Sequence, residues 1–333
     1  MKKADVVHLI LGDRRRVPAR HLSGKAFAPS NIALCKYWGK REQELNLPVT
    51  SSLSISLGDQ GASAVLTIHD RAHDEIVLNG KSVDVSAPFS QRLSHFLNLF
   101  RLNPTQRFSI FIETNVPIAA GLASSACGFA SIVKALDALF GWELSNKELS
   151  ILARLGSGSA SRSIWQGFVE WHRGLRDDGM DCFAEAIPDV WADLRIGLLI
   201  LSAKEKGLAS REAMQRTVTN GSLYSAWPAK VSSDLFLLKQ AIADRDFQTL
   251  GKTAESNALA MHATMLSAWP PIQYAIPETL LTMQKVWALR EQGLPLYFTQ
   301  DAGPNLKLLF CKQDVEQVVS HFPEVKVVDP FVA

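Results

Sequence analysis

Four stretches of the chain gather residue types that handle oxyanions. In TNVPIAAGLASSACGFAS (residues 114–131) a strand-like run gives way to Gly121, Ala123, Ser124, Ser125, Ala126 and Gly128 at the start of a helical pattern. Small side chains leave the backbone N–H groups of a helix start open, and these donors, reinforced by the helix dipole, hold an anion without a lysine. The stretch is not a Walker loop, because GLASSACG lacks the spacing and the G-K-[ST] ending. Close helix packing uses the same small residues, so the stretch alone admits both readings.

The second stretch, GSGSASRS (156–163), sets Arg162 among serines. A planar guanidinium and hydroxyls suit phosphate or carboxylate, although a helix C-cap followed by a turn has the same composition. In the third, residues 28–57, Lys36, Tyr37, Lys40 and Arg41 cluster in a strand that runs into a polar turn. A lysine inside an apolar run either snorkels to an edge or is buried, and a buried ammonium needs an anion. The fourth is QDAGPNLKLL, where Asp301 stands at a Gly-Pro turn between two apolar runs. Aspartate also begins many turns through its own side-chain hydrogen bonds.

The elements that must position these residues follow from periodicity. Strands are expected at about 25–38, 52–57, 63–70, 75–84 and 107–115, and helices at 87–101, 121–140 and 145–155. Ser145 and Glu148 are spaced as a capping box for the last of these. After a polar connection, LRIGLLILSA (194–203) begins a second unit, with helices at 208–220, 229–243, 246–265 and 277–291. LPLYFTQ and LKLLFC then flank DAGPN, and KVVDPFVA ends the chain. Without strict βαβ alternation or a repeat, this is a two-domain α+β protein, residues 1–190 and 191–333.

At 333 residues, 47% hydrophobic and 20% charged, the chain can bury a sizeable core. A net charge of +2 gives no global pull toward nucleic acid or anionic membrane, so a small-molecule partner is expected. Four separated cysteines without a C-x-x-C pair suit reduced thiols and a cytoplasmic location. The N-terminal MKKADVVHLILGDRRR has too short an apolar run for a signal peptide and is expected to be an ordered or frayed extension. No window has the roughly 18 to 20 apolar residues of a membrane span.

Taken together, APSNIALCKYWGKREQELNLPVTSSLS, NVPIAAGLASSACGFAS, LARLGSGSASRSIWQGFVEW, SNALAMHATMLSAWPPI and YFTQDAGPN resemble, in order, segments of the diphosphomevalonate decarboxylases. That family lies in the superfamily of galactokinase, homoserine kinase, mevalonate kinase and phosphomevalonate kinase. The resemblance implies an N-terminal domain like ribosomal protein S5 domain 2, a C-terminal ferredoxin-like domain and an active-site cleft between them. It also implies ATP and Mg²⁺, 5-diphosphomevalonate as substrate, isopentenyl diphosphate as product and a homodimer.

By the same resemblance, Asp301 orients or deprotonates the substrate 3-hydroxyl, Lys36 stabilises charge beside it, and Arg162, held by Asn31, binds the carboxylate. Asn115, Ala120, Gly121, Leu122, Ala123, Ser124, Ser125 and Ala126 match the nucleotide loop, with Mg²⁺ carried mainly by the ATP phosphates and contacted by Ser124 or Ser125. Tyr37, Lys40, Arg92, Ser157, Gly158 and Ser159 match positions near the diphosphate. KEKGLASREAMQ departs from the family's serine-rich segment ending in Gly-Met, and Met261 stands where an aromatic is usual. Rival readings are a phosphomevalonate decarboxylase, a mevalonate 3-kinase and, from another class, a non-catalytic binding module.

Overall fold

A computed structural model of the protein describes residues 1–116, 124–204 and 207–331. The chain opens with α1 (Lys3–Leu11), followed by β1 (Ser23–Cys35), the short hairpin β2 (Lys40–Glu42) and β3 (Leu47–Pro48), and the long strand β4 (Ser52–His69). Next come β5 (Glu75–Leu78), β6 (Lys81–Ser82), α2 (Pro88–Leu97), β7 (Arg107–Thr114), α3 (Ser124–Phe140), α4 (Asn146–Gly156), β8 (Phe168–Trp171) and β9 (Ala184–Ala186). Strands β4 to β9 form one sheet in the order β6-β5-β7-β4-β8-β9, and β1 also pairs with β4. Only the β5–β7 pair among these is parallel.

The second half runs β10 (Leu194–Leu199), α5 (Ser210–Asn220), α6 (Trp227–Asp244), α7 (Phe247–Leu266), α8 (Pro277–Glu291), β11 (Tyr297–Gln300), β12 (Leu306–Cys311), α9 (Val315–His321) and β13 (Lys326–Val328). Its antiparallel sheet has the order β11-β12-β10-β13, the arrangement of a ferredoxin-like unit. Helix α7 packs on both β1 and β11, so it spans the two sheets and carries side chains to their junction.

Two expected strands, 52–57 and 63–70, are one. Gly58 takes a positive φ of 56°, and the β1 register jumps from Pro29↔Gly61 to Asn31↔Ser56, so β4 bulges there and continues. Strand β1 ends at Cys35, which puts Lys36 and Tyr37 just beyond it instead of within it. Short β8, β9 and α9 were not expected from periodicity.

The cap of α4 forms as its spacing predicts: Ser145 Oγ accepts from the Glu148 N–H, and the Glu148 carboxylate accepts from the Ser145 N–H. The N-terminal extension is ordered. Val6, Val7, Ile10 and Leu11 are at most 5% exposed, and Arg14 donates to Trp142 O at 3.1 Å and to Glu148 at 2.9 Å. The apolar periodicity of α1 therefore buries one helical face against α4.

Candidate active site

Asp301 begins the turn after β11, and its carboxylate receives two ammonium groups. Lys36 Nζ lies 2.7 Å from one oxygen and Lys307 Nζ 3.1 Å from the other. Both lysine side chains are 2% exposed while Asp301 is 23% exposed, so the carboxylate is the member of the trio open to a ligand. Burial by itself raises the Asp301 carboxyl, but Lys307 and Lys36 outweigh it and hold the group well below the usual carboxylate range. Burial pulls the Lys36 ammonium below its ordinary value, with Asp301 opposing.

The surrounding fold fixes this trio. Because β1 stops at Cys35, the Lys36 N–H leaves the ladder and donates to Asn257 Oδ1 on α7 at 2.8 Å, while Lys36 Nζ donates to Ala33 O at 2.8 Å. Asn257 Nδ2 in turn donates to Asp234 Oδ2 at 2.7 Å, and Lys230 caps that carboxylate at 2.5 Å. Five residues further along α7, His262 Nε2 lies 3.2 Å from the Asp301 carbonyl oxygen. Burial and then Lys36 pull His262 down to about 4, so the ring is neutral at ordinary pH and Nε2–H donates to that carbonyl.

Arg162 lies in the 3₁₀ turn Gly158–Ile164 that follows α4 and is 3% exposed. Its Nε donates to Asn31 Oδ1 at 3.2 Å and a terminal nitrogen to Ser52 Oγ at 2.5 Å. Asn31 Nδ2 donates to Ser163 Oγ at 2.7 Å, so the amide's orientation is determined from both sides. Burial lowers the Arg162 pKa to about 10, with the Asp301 charge as the largest opposing influence. Among the described residues none of its bonds is to a carboxylate. A buried, unpaired guanidinium is a receptor for an oxyanion.

A second cationic group lies around the β2–β3 hairpin. Lys40 Nζ donates to Asn46 Oδ1 at 2.7 Å. Burial, then the charges of Arg211, Lys3 and Arg92, pull its pKa down to about 8. Arg92 donates to Gly156 O at 3.2 Å and covers the Phe129 ring at 4.8 Å. Ser157 and Ser159 follow, their hydroxyls 3.4 Å apart. The Tyr37 hydroxyl is buried and lacks a hydrogen-bond partner among the described residues. A Cβ on Gly158 would come 2.9 Å from that hydroxyl and 3.0 Å from Trp171, so glycine keeps the space open.

Of the nucleotide-loop residues, Ala120, Gly121, Leu122 and Ala123 lie outside the described residues, as does the Ser124 side chain. Ser124 begins α3, Ser125 is exposed in its first turn and Ala126 is buried. Asn115 is committed locally: its Oδ1 accepts from Gly61 N at 2.7 Å and its Nδ2 donates to Asp59 O at 2.8 Å. It braces the β4 bulge.

Sequence reasoning missed Lys307, His262, Asn257 and Arg211. Lys307, a lone lysine in LKLLFC, carries the same signal that singled out Lys36. Asn257 and His262 lie in α7 with no pattern to set them apart from its other residues, and Arg211 lies in the divergent SREAM segment.

Comparisons with known proteins place the chain in a family. Residues 28–184 match the diphosphomevalonate decarboxylase-like N-terminal domain, and residues 196–329 the mevalonate 5-diphosphate decarboxylase C-terminal domain. The diphosphomevalonate decarboxylase of Aspergillus fumigatus is 37% identical over 313 residues, 87% of this chain and 77% of that protein. The mevalonate diphosphate decarboxylase structure from Staphylococcus aureus superposes with a TM-score of 0.88 at 36% identity, covering 94% of this chain and 98% of that one. A structure described as MDDEF in complex with MVAPP, AMPPCP and magnesium has a TM-score of 0.86 at 39% identity, covering 92% and 96%. With both domain families matched in order and relatives aligned over most of their length, the chain belongs to the diphosphomevalonate decarboxylase family.

Proposed function

We infer that the protein carries out ATP-dependent decarboxylation of 5-diphosphomevalonate to isopentenyl diphosphate, phosphorylating the 3-hydroxyl and then losing that phosphate with CO₂. The observation that carries this reading is Asp301 held between Lys36 and Lys307, with the unpaired Arg162 guanidinium nearby. Asp301 accepts the hydrogen bond of the 3-hydroxyl and orients its oxygen for attack. A carboxylate so stabilised is a weak base, which suits phosphoryl transfer through a loose transition state, where little charge builds on the attacking oxygen. The proton passes to Asp301 late, and Lys36 and Lys307 offset negative charge on the transferring group.

Arg162, aimed by Asn31 and Ser52, holds the substrate carboxylate. When the tertiary phosphate departs, positive charge develops at C3, and the C–C bond electrons form the alkene as CO₂ leaves. Tyr37, Lys40, Arg92, Ser157, Gly158, Ser159 and Arg211 are the proposed diphosphate contacts. The nucleotide phosphates are assigned to residues 120–126.

Among the described residues no three of His, Cys, Asp or Glu converge as a metal cage, and the lysine-rich surroundings of Asp301 fit phosphate oxygens. Mg²⁺, present in the MDDEF complex, would therefore ride on ATP phosphates with Ser124 or Ser125 as protein contact. It supplies neutralisation of phosphate charge. Residues 1–190 and 191–333 are the proposed domains, a homodimer the proposed assembly and the cytoplasm the proposed location. No helix among the described residues is long and apolar enough to cross a membrane.

Incubation with ATP, Mg²⁺ and, separately, mevalonate, 5-phosphomevalonate and 5-diphosphomevalonate, with ADP and CO₂ followed independently, tests the reading. Equal ADP and CO₂ from the diphosphate is expected. ADP without CO₂ would make the protein a 3-kinase, and preference for the monophosphate a phosphomevalonate decarboxylase.

A further inference from the structure

We propose that Lys3, in the N-terminal helix, is a further substrate-binding residue: with Lys40, Arg92 and Arg211 it holds the diphosphate end of the substrate. The inference rests on the function proposed above and concerns a part of the chain that precedes both matched family domains.

The geometry begins with how α1 is anchored. Its buried face of Val6, Val7, Ile10 and Leu11 seats it on α4, and the Lys3 N–H reaches Glu44 Oε1 in the β2–β3 hairpin at 3.4 Å. That hairpin starts with Lys40. Helix α5, which carries Arg211 in its first turn, packs on β2, and Arg92 bonds to the last residue of α4. Four cations from four elements therefore surround one hairpin and the end of one helix.

Among the described residues none of the four has a carboxylate within ion-pair distance, although fifteen such pairs form elsewhere. Glu42 and Glu44 act on Lys3 only at longer range, and Glu42 spends its oxygens on the N–H groups of Glu44 and Leu45. Lys3 is partly buried, and burial followed by the nearby arginines lowers its pKa against the pull of Glu44. It also opens its helix, the end where the dipole disfavours a cation. Burial, the arginines and the helix dipole oppose keeping an ammonium here, and a bound polyanion offsets them.

The test compares wild type, Lys3→Ala and Lys3→Arg in the full chain, by calorimetric titration with inorganic pyrophosphate at low salt, by steady-state kinetics and by thermal unfolding. Loss of one charge-assisted contact is expected to weaken pyrophosphate binding in Lys3→Ala about fivefold and raise KM for the diphosphate substrate by a similar factor, with kcat nearly unchanged. Lys3→Arg should restore both, and Tm should not fall in Lys3→Ala, because the ammonium makes no hydrogen bond within the described residues and its surroundings disfavour it in the free protein. Unchanged pyrophosphate affinity in Lys3→Ala overturns the proposal. So does a fall in Tm that accompanies the loss and that Lys3→Arg does not repair, since Lys3 would then be structural. Wild type that binds pyrophosphate but releases no CO₂ overturns the function reading alone, because the pyrophosphate comparison still decides the role of Lys3.

Discussion

Around Asp301 two lysines face one carboxylate, whereas Lys40 and the three cations beside it have, among the described residues, no carboxylate within ion-pair distance. The first group is charge-paired in the free protein, with Lys36 tied to Asn257 and Ala33 and Asp301 braced by His262. The second has no ion-paired carboxylate among the described residues and only the longer-range pull of Glu42 and Glu44, so a bound anion stabilises it. Preorganised pairing suits a centre that must present fixed charge to a transition state, and an uncompensated cluster suits binding that is equal in ground and transition states. Mutations in the two regions should therefore separate into kcat and KM effects.

The largest effect is expected at the carboxylate. Asp301→Asn removes the hydroxyl acceptor and the counter-charge of two lysines, and kcat should drop about 10³-fold while nucleotide binding survives. Near-normal turnover would remove Asp301 from the chemistry. Lys307→Met leaves Asp301 paired with Lys36 alone, and a fall of about 10²-fold in kcat with KM little changed is expected from losing one preorganised charge. A KM effect alone would move Lys307 to the binding cluster.

Arg162→Gln should lower kcat/KM about 30-fold by loosening the carboxylate grip, and an unchanged value would refute that contact.

Smaller again is the pH response. Lys40 has a folded pKa near 8, so the free enzyme loses this charge as pH rises through 8, and KM for the diphosphate should climb there by a few-fold while kcat holds. A flat KM between pH 7 and pH 9, in roughly the range a lysine near 8 must titrate, would contradict the assignment. His262 titrates on the acid side. Its folded pKa of about 4 lies below the ordinary 6.5, so the unfolded chain binds more protons between those values. Its share of stability is complete above 6.5 and is lost as pH falls toward 4, a slope that His262→Gln should flatten in urea melts.

How much of this was legible in the sequence depends on the range of the interaction. Apolar periodicity located α4, α6, α7 and α8 because each buries one face along its own length, and the Ser145–Glu148 cap is three residues across. The β4 bulge escaped because it is made by pairing with β1 across Gly58 and Gly61. Asp301, Lys36 and Arg162 stood out by their surroundings and by family resemblance, and the structure brings them together. Lys307 was passed over because a lysine in a strand ordinarily snorkels to an edge, and only the β11–β12 register, with Gln300 opposite Leu306, turns the adjacent Lys307 toward Asp301. Arg211 and Lys3 lie 171 and 37 residues from Lys40 by their numbers, and neither carries a local motif.

The central claim is the division between a charge-paired centre and an uncompensated grip. Steady-state kinetics of Asp301→Asn and Lys40→Met, measured side by side on 5-diphosphomevalonate, test it most directly. A collapse of kcat with nearly preserved KM is expected for the first, and a rise in KM with nearly preserved kcat for the second. If both variants move the same parameter, the division does not exist.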